Sequence, residues 1–257
     1  MENLKGKVVF ITGASSGIGK ATAYEFAKKD ADLILGARRI ERLEEIKKDI
    51  QDHYNSNVLT LELDVTKLDQ CKKSISSLSQ EWKAIDILVN NAGLASGKKQ
   101  LQNADIDDWE TMIDTNVKGL LYMSRIIIDI MKKRQKGHII NIGSTSAHEV
   151  YPGGSVYCGT KHAVDAITKG FRLDLVDTPI RVTEISPGMA ETEFSLVRFK
   201  GDEEKASKVY DNFIPLKAKD VAETIVFAAT RPKYVQINEI ILTSTDQANS
   251  YIVNKRQ

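Results

Sequence analysis

This 257-residue chain has few cysteines, few histidines and no long apolar run. Its two cysteines, Cys71 and Cys158, are too few for a disulfide framework, which is typical of proteins in a reducing compartment. The four histidines show no metal-ligand spacing, so we predict no metal site. No apolar segment approaches the ~20 residues that span a bilayer, and Met1–Lys7 lacks the apolar core of a signal peptide. We therefore expect a cytoplasmic protein.

An excess of either charge is also missing. The chain has 36 Lys and Arg against 35 Asp and Glu, a net charge of +1. This balance gives no electrostatic basis for binding nucleic acid or a membrane surface. The composition, 42% hydrophobic and 28% charged, is ordinary for a globular protein. Because no linker, repeat or low-complexity segment divides the sequence, we expect one domain over residues 1–257.

Apolar runs alternate with helical stretches along the chain. The helical segments include 20–29, the charge-laced amphipathic stretch 40–53, and 120–131. Buried strands that alternate with helices form a parallel sheet with helices on both faces. We therefore predict a doubly wound, Rossmann-like α/β fold. Its seven predicted strands are Val8–Ile11, Asp32–Gly36, Val58–Leu63, Ile85–Asn90, Gly137–Ile142, Arg181–Ile185 and Glu239–Leu242.

A glycine-rich segment follows the first strand. It reads TGASSGIG over Thr12–Gly19, with glycines at 13, 17 and 19, and it opens a helix. Glycines permit a tight turn and close backbone approach to a ligand, while the N–H groups of a helix N-terminus favour an anion. The segment predicts a site for the pyrophosphate of a dinucleotide.

Tyr157 and Lys161 stand four positions apart, with Ser144 upstream at the end of a strand. Residues at i and i+4 share a helix face. A cation about 4 Å from a phenol favours the phenolate by roughly 3 pKa units, enough for acid–base work near neutral pH. Ser144 follows a strand at a sheet edge where α/β proteins bind ligands. Ser155 is a candidate N-cap for the helix that carries the pair.

Taken together, these segments resemble the short-chain dehydrogenase/reductase family. The resemblance rests on TGASSGIG and on the Asn90–Gly93 segment NNAG. It rests also on four single residues that follow in the family's order, Asn116, Ser144, Tyr157 and Lys161. It implies a tetrad in which Tyr157 transfers the proton and Ser144 holds the substrate oxygen. Lys161 would bind the nicotinamide ribose and lower the pKa of Tyr157, and Asn116 would fix a water of the proton relay.

The end of the second strand indicates which dinucleotide is bound. Ala37 stands where NAD-binding members carry an acid for the ribose diol, and Arg38 and Arg39 follow. Arginine binds a 2′-phosphate by charge-assisted hydrogen bonds, so we predict NADP, with Arg38 the favoured contact. The cofactor-binding residues implied by the motifs and the resemblance are Thr12, Gly13, Ser15, Ser16, Gly17, Ile18, Gly19, Arg38, Arg39, Asp64, Val65, Asn91, Ala92, Gly93, Tyr157, Lys161, Pro187, Gly188 and Thr192.

An irregular stretch from Pro187 to Gly201 follows a predicted strand, and we expect a lid at about 187–215. Its Glu191–Asp202 part is similar to the lid of the NADP-dependent 3-hydroxy acid dehydrogenases, which include serine and allo-threonine dehydrogenases. The resemblance implies a small 3-hydroxy acid as substrate. Its carboxylate needs a cation, and the candidates are Arg198, Lys200, Lys98 and Lys99.

Two other functions fit the same motifs. An NADPH-dependent carbonyl or 3-ketoacyl reductase of broader specificity would keep every catalytic residue. A non-catalytic nucleotide-binding redox sensor would use the fold without the chemistry. Family resemblance, together with the isoleucine-rich segment 120–131, further predicts a homo-oligomer, with a tetramer favoured.

Overall fold

A computed structural model describes residues 2–256. The strands are β1 (Val8–Thr12), β2 (Asp32–Ala37), β3 (Val58–Glu62), β4 (Ile85–Asn90), β5 (Gly137–Ile142), β6 (Ile180–Pro187), β7 (Ala190–Glu191), β8 (Leu216–Lys217) and β9 (Glu239–Leu242). The α-helices are α1 (Gly17–Ala27), α2 (Ile40–His53), α3 (Leu68–Ser76), α4 (Ile106–Ile113), α5 (Leu120–Arg134), α6 (Ser155–Asp174), α7 (Phe194–Arg198), α8 (Glu203–Ser207) and α9 (Ala218–Ala229).

Seven parallel strands form one sheet in the order β3-β2-β1-β4-β5-β6-β9. The predicted parallel sheet and its seven strands are confirmed. The order reverses between β1 and β4, because β2 lies on one side of β1 and β4 on the other. Ligands of open α/β sheets bind at such a reversal, beyond the carboxyl ends of the strands.

Helices cover both faces of this sheet, and β1 shows why its strands are apolar throughout. Val9 and Ile11 join the core beneath α1, α2 and α9, whereas Val8 and Phe10 join the core beneath α3 and α5. Successive side chains of a strand point to opposite faces, so a strand covered on both faces needs apolar residues at every position. The doubly wound architecture is therefore as predicted.

Two local predictions are wrong. The first helix begins at Gly17 rather than Lys20, because the glycine loop itself supplies its first turn. Ser155 does not cap α6: the N-cap is Gly154, no side-chain cap bond is present, and Ser155 is the first helical residue. None of the helices within residues 2–256 combines the length and apolar character needed to cross a bilayer.

The segment expected to be an irregular lid is largely ordered. After β7 it forms the short helices α7 and α8 and a 3₁₀ turn at Lys208–Tyr210, and it returns through β8. The β7–β8 pair forms a separate two-stranded parallel sheet. Helices of five residues give weak periodic signals, which is why the sequence did not reveal them.

Candidate active site

A cleft of about 710 Å³ opens at the carboxyl ends of the main sheet, where the strand order reverses. Most of the predicted site residues line it. Three do not, namely Thr12, Gly19 and Asn116. The lining residues from the predicted set are Gly13, Ser15, Ser16, Gly17, Ile18, Arg38, Arg39, Asp64, Val65, Asn91, Ala92, Gly93, Ser144, Tyr157, Lys161, Pro187, Gly188 and Thr192.

The glycine loop makes a tight turn that leads into α1. Gly13 and Gly17 have positive φ angles of 65° and 52°, which side chains other than glycine rarely adopt. A Cβ on Gly13 would lie 2.9 Å from the Cα of Ala92. Ser16 caps α1 without a side-chain bond, so the first N–H groups of that helix face the cleft unprotected by a cap. This geometry suits a bound pyrophosphate.

Thr12 and Gly19 support the cradle from behind. The Thr12 hydroxyl accepts hydrogen bonds from the backbone N–H groups of Asn91 and Ala92, at 3.1 and 3.0 Å. A Cβ on Gly19 would overlap the carbonyl oxygen of Gly13. Both residues thus fasten the glycine loop to the NNAG segment rather than forming the cleft wall.

Arg39 lies in the part of the cleft that the serines of the glycine loop line. Its guanidinium donates to the Ser15 hydroxyl at 3.2 Å and to the Ser16 hydroxyl at 2.9 Å. It also pairs with Glu193, which Arg42 contacts at 2.7 Å. Arg38 lines the same part of the cleft and is exposed. Cationic groups and hydroxyls converge here, as a phosphate site requires.

Asp64 and Thr192 are two further cofactor candidates that line the cleft. Asp64 accepts from the Thr66 backbone N–H and hydroxyl, at 3.0 and 2.8 Å, which orients its carboxylate. Thr192 lies over the glycine loop, since a Cβ on Gly17 would be 3.3 Å from the Thr192 Cβ. The lid therefore touches the phosphate cradle directly.

Tyr157 and Ser144 both line the cleft. Tyr157 is buried in α6, and its ring meets that of Phe194 edge-on, with centroids 5.6 Å apart. Ser144 is buried at the end of β5, and its hydroxyl accepts from the Ser146 backbone N–H at 3.1 Å. Burial raises the pKa of the Tyr157 phenol above its usual value, while Ser144 and Arg198 act in the opposite direction.

Lys161 does not act on Tyr157 as the sequence argument expects. Its ammonium donates to the Ile142 carbonyl at 2.8 Å and lies 6.0 Å from the centroid of the Tyr157 ring. Burial lowers the pKa of Lys161 to about 8, which Glu184 opposes. The predicted lowering of the Tyr157 pKa by a cation at about 4 Å is absent from the protein alone, because desolvation outweighs a charge that is farther away.

Asn116 lies in a π-helical turn, 114–119, beside the cleft. Its side-chain amide donates to the Leu94 carbonyl at 2.8 Å and to the Thr160 hydroxyl at 3.0 Å. Its side-chain oxygen accepts from the Leu94 N–H at 2.8 Å. The side chain therefore braces the segment after NNAG against α6, and a role in holding a relay water stays a prediction.

Two of the four candidates for binding the substrate carboxylate line the cleft, and two do not. Arg198 and Lys98 line the cleft, whereas Lys200 pairs with Asp108 at 2.8 Å and Lys99 lies outside the cleft. The Arg198 guanidinium is 5.2 Å from the centroid of the Tyr151 ring and 5.7 Å from that of Tyr157. Its Nε donates to the Gly97 carbonyl at 3.3 Å, and its Nη2 is buried without a partner among residues 2–256.

Several cleft residues escaped the sequence analysis. Tyr151 and Phe194 flank Tyr157, and the C-terminal segment returns to the site through Gln247 and Tyr251. The Gln247 side chain accepts from the Met189 backbone N–H at 2.8 Å. Tyr151 did carry a sequence signal, because the Tyr151–Gly154 segment resembles that of the 3-hydroxy acid dehydrogenases, although the resemblance did not assign Tyr151 to the site.

Comparison with known proteins identifies the family of the chain. A sequence model of the short chain dehydrogenase family matches residues 7–202. The chain belongs to this family. The resemblance inferred from the motifs is thereby confirmed, and with it an oxidoreductase.

Relatives and solved structures extend the match to the whole chain. The NADP-dependent 3-hydroxy acid dehydrogenase of Schizosaccharomyces pombe is 46% identical over 100% of both chains. Serine 3-dehydrogenase of Agrobacterium fabrum is 40% identical over 93% of this chain and 94% of its own. The closed form of a serine dehydrogenase complexed with NADP+ superposes with a TM-score of 0.90, at 43% identity, over 97% of this chain and 100% of that one.

Proposed function

We propose that this dehydrogenase oxidises small 3-hydroxy acids, such as L-serine, L-allo-threonine or 3-hydroxyisobutyrate, with NADP. Full-length similarity to the NADP-dependent 3-hydroxy acid dehydrogenase and to serine 3-dehydrogenase supports the activity. The observation that carries the substrate class is Arg198, whose Nη2 is buried and unpaired beside Tyr157. An unpaired buried guanidinium nitrogen is costly unless a ligand completes it.

The cleft fits NADP. The glycine cradle and the start of α1 would hold the pyrophosphate, and Arg39, Ser15 and Ser16 present donors for a 2′-phosphate. Arg38, which lines the same part of the cleft, is the second arginine available to the 2′-phosphate. Bound NADP would supply the acceptor or donor of the hydride.

Proton transfer belongs to Tyr157. Oxidation takes a hydride from C3 and the proton from its hydroxyl, and the Tyr157 oxygen is the base for that proton. Burial favours the neutral phenol, whereas the Ser144 hydroxyl and the Arg198 guanidinium favour the ionised form that the base role requires. The Ser144 hydroxyl holds the same substrate oxygen by a hydrogen bond. In the reverse direction the same phenol donates.

The carboxylate is a handle rather than a reacting group. Arg198 and Lys98 both approach the Tyr151 ring and line the cleft, so a carboxylate between them meets two cations. Oxidation at C3 yields a β-keto acid, which loses CO₂ without further catalysis. L-serine would therefore give an aminoaldehyde and CO₂.

A substrate panel tests the proposal. NADP+ reduction should be measured with L-serine, L-allo-threonine and 3-hydroxyisobutyrate, with their methyl esters, and with simple secondary alcohols. We expect the acids to exceed their esters by about 10–150-fold in kcat/KM, the value of one charge-assisted contact. Equal turnover of esters and acids would instead favour the broader carbonyl or 3-ketoacyl reductase. Tight NADP binding without turnover of any compound would favour the redox sensor.

We further propose a cytoplasmic homo-oligomer, with a tetramer favoured. In α5, Ile126, Ile128 and Ile130 are only partly buried in the isolated chain. Apolar surface of this kind is suited to contact with a second copy. Sedimentation at micromolar concentration should give a multiple of the 28.6 kDa chain mass.

A further inference from the structure

A row of polar side chains crosses four neighbouring strands beneath the cleft. Asn90 of β4 pairs with Asn141 of β5, Asn141 with Glu184 of β6, and Glu184 with Glu239 of β9. Partners in a parallel ladder project to the same face of the sheet. Asn90 and Asn141 donate to hydroxyls of α5 and α6, which identifies that face as the one those helices cover. Two carboxylates thus extend a buried row of amides.

Glu184 is the buried carboxylate of this row. It is 1% exposed, and its Oε2 has no partner among residues 2–256. Its Oε1 accepts from the Ser186 hydroxyl at 3.1 Å, and that hydroxyl also lies 2.9 Å from Glu239 Oε1. His148 Nε2 is 2.7 Å from the same Glu239 oxygen. A chain of contacts therefore runs from His148 at the surface to Glu184 inside.

The inner end of this series of contacts, Glu184, lies next to the backbone that carries Ser144. A Cβ on Gly143 would overlap Glu184 Oε1, so the carboxylate lies directly under this residue. Gly143 connects Ile142, whose carbonyl accepts from the Lys161 ammonium, to Ser144. The catalytic lysine and the buried carboxylate thus flank the same short turn of backbone.

We propose that Glu184 is a positioning residue that keeps the Lys161 ammonium charged at the cleft floor. The Ile142 carbonyl is a neutral acceptor, which compensates little of the hydration that a buried ammonium loses. A buried carboxylate nearby favours the charged form. This inference rests on the role of Lys161 in the proposed function, not on the identity of the substrate.

The charges around Glu184 agree with this role. Burial, and after it Glu239 and Asp165, raise the pKa of Glu184 to about 7, with Ser186 and Lys161 acting in the opposite direction. The carboxylate oxygens of Asp165, Glu184 and Glu239 lie within 4.8 Å of one another. On the outer side, Lys169 pairs with Asp165 at 2.6 Å, and His148 contacts Glu239. Both outer carboxylates therefore have side-chain partners of their own, Lys169 for Asp165 and His148 for Glu239, whereas Lys161 is the cation that acts on Glu184.

The decisive measurement is the titration of Lys161 itself. In intact protein carrying 13Cε-labelled lysine, the Lys161 signal is assigned by its absence from Lys161→Met, and its pKa is followed by NMR. We expect Glu184→Gln to lower the Lys161 pKa by about one unit, the low end of what an adjacent opposite charge supplies. The alkaline fall of kcat/KM should move to lower pH by the same amount.

Glu239→Gln is the matched control, one strand further from the site. It removes a charge that raises the pKa of Glu184, so Glu184 stays ionised and the Lys161 pKa holds or rises. An unchanged Lys161 pKa in Glu184→Gln, or an equal fall in Glu239→Gln, would overturn the proposal. No substrate enters this titration, so a wrong substrate assignment leaves it intact.

Two further variants cover the case in which Glu184→Gln does not fold. Glu184→Asp keeps the charge and should retain most of the Lys161 pKa. Ser186→Ala removes a hydrogen bond that favours the ionised carboxylate, so it should lower the Lys161 pKa in the same direction as Glu184→Gln, by a smaller amount. A Lys161 pKa that falls in Glu184→Asp but not in Ser186→Ala would mean that packing, not charge, is responsible, and would overturn the proposal.

Discussion

Arg198 lies with its guanidinium 5.7 Å from the centroid of the Tyr157 ring. The arginine ends helix α7 and the tyrosine belongs to helix α6, so this contact joins the two helices at the cleft beside the tyrosine to which we assign proton transfer. Arg198 also binds the Gly97 backbone in both directions, through its side-chain Nε and through its own carbonyl. A substrate held at Arg198 is consequently held next to Tyr157.

The first prediction concerns Arg198. Arg198→Met should raise KM for 3-hydroxy acids and lower kcat/KM by about 10–150-fold, because one charge-assisted contact to the carboxylate is lost. Turnover of an uncharged secondary alcohol should fall by less, because it loses only the effect of Arg198 on the Tyr157 phenol and not the carboxylate contact. Lys200→Met is the matched control, since Lys200 pairs with Asp108 on the outside of the lid. Equal losses for acids and alcohols would show that Arg198 only holds the lid.

Tyr157→Phe removes the proton-transferring oxygen while keeping the ring that packs against Phe194. We expect kcat to fall at least ~100-fold, the range of a lost general acid–base group. The dissociation constant for NADP, measured by fluorescence titration, should change little. Lys161→Met should differ by weakening both turnover and cofactor binding. Retained turnover in Tyr157→Phe would assign the proton transfer to another group.

Cofactor choice depends on the arginines after β2. NADP should be preferred over NAD by at least ~10-fold, or about 1.4 kcal/mol. Arg38→Ala should erase most of this preference if Arg38 is the main contact, as the sequence favoured. Arg39→Ala tests the alternative, because Arg39 already joins Ser15 and Ser16 at the cradle. The ratio of kcat/KM for the two cofactors decides, and equal use of NAD by the unmodified enzyme contradicts NADP specificity.

Local sequence signals predicted the fold and the centre of the site. The apolar strands, the glycine loop and the Tyr157–Lys161 spacing each encode their structure within a few residues. The sequence did not indicate which distant residues contact them. Glu193 meets Arg39 from 154 positions away, and Gln247 reaches Met189 from beyond the last strand. Such contacts depend on how the sheet brings distant loops together, which no local pattern records.

The electrostatics of the site were the least predictable part. The sequence places Lys161 one helical turn from Tyr157, but burial shifts the pKa of both groups, and Glu184, which belongs to another element, acts on that of Lys161. Desolvation reverses the sign expected for Tyr157 in the protein alone. Burial is a property of the completed fold, so residue spacing could not supply it.

The last prediction concerns pH and stability through His138. This histidine is fully buried in β5, and its Nε2 lies 2.8 Å from the Thr183 hydroxyl, which itself donates to the Ile237 carbonyl. Nε2 must therefore carry the proton, and Nδ1 is left buried without a partner within residues 2–256. Burial, and secondarily Arg181, lowers the pKa of His138 well below its usual 6.5.

The depressed pKa of His138 determines the direction in which the unfolding free energy changes with pH. Above pH 6.5 the histidine is neutral in both the folded and unfolded states. Below it the unfolded chain binds a proton that the folded protein does not, so the unfolding free energy falls by up to about 1.4 kcal/mol per pH unit. Glu184, whose pKa is raised to about 7, has the opposite effect between about pH 4.5 and 7.

Comparison with His138→Gln separates the two groups, because glutamine can donate to Thr183 and does not titrate. Chemical denaturation between pH 5 and 7.5 should show that the wild-type protein loses stability relative to His138→Gln as the pH falls below about 6.5. The Glu184 contribution cancels in this difference, since both proteins retain it. Parallel pH curves for the two proteins would contradict a neutral buried histidine, and a difference that grows above pH 7 would assign the effect to another group.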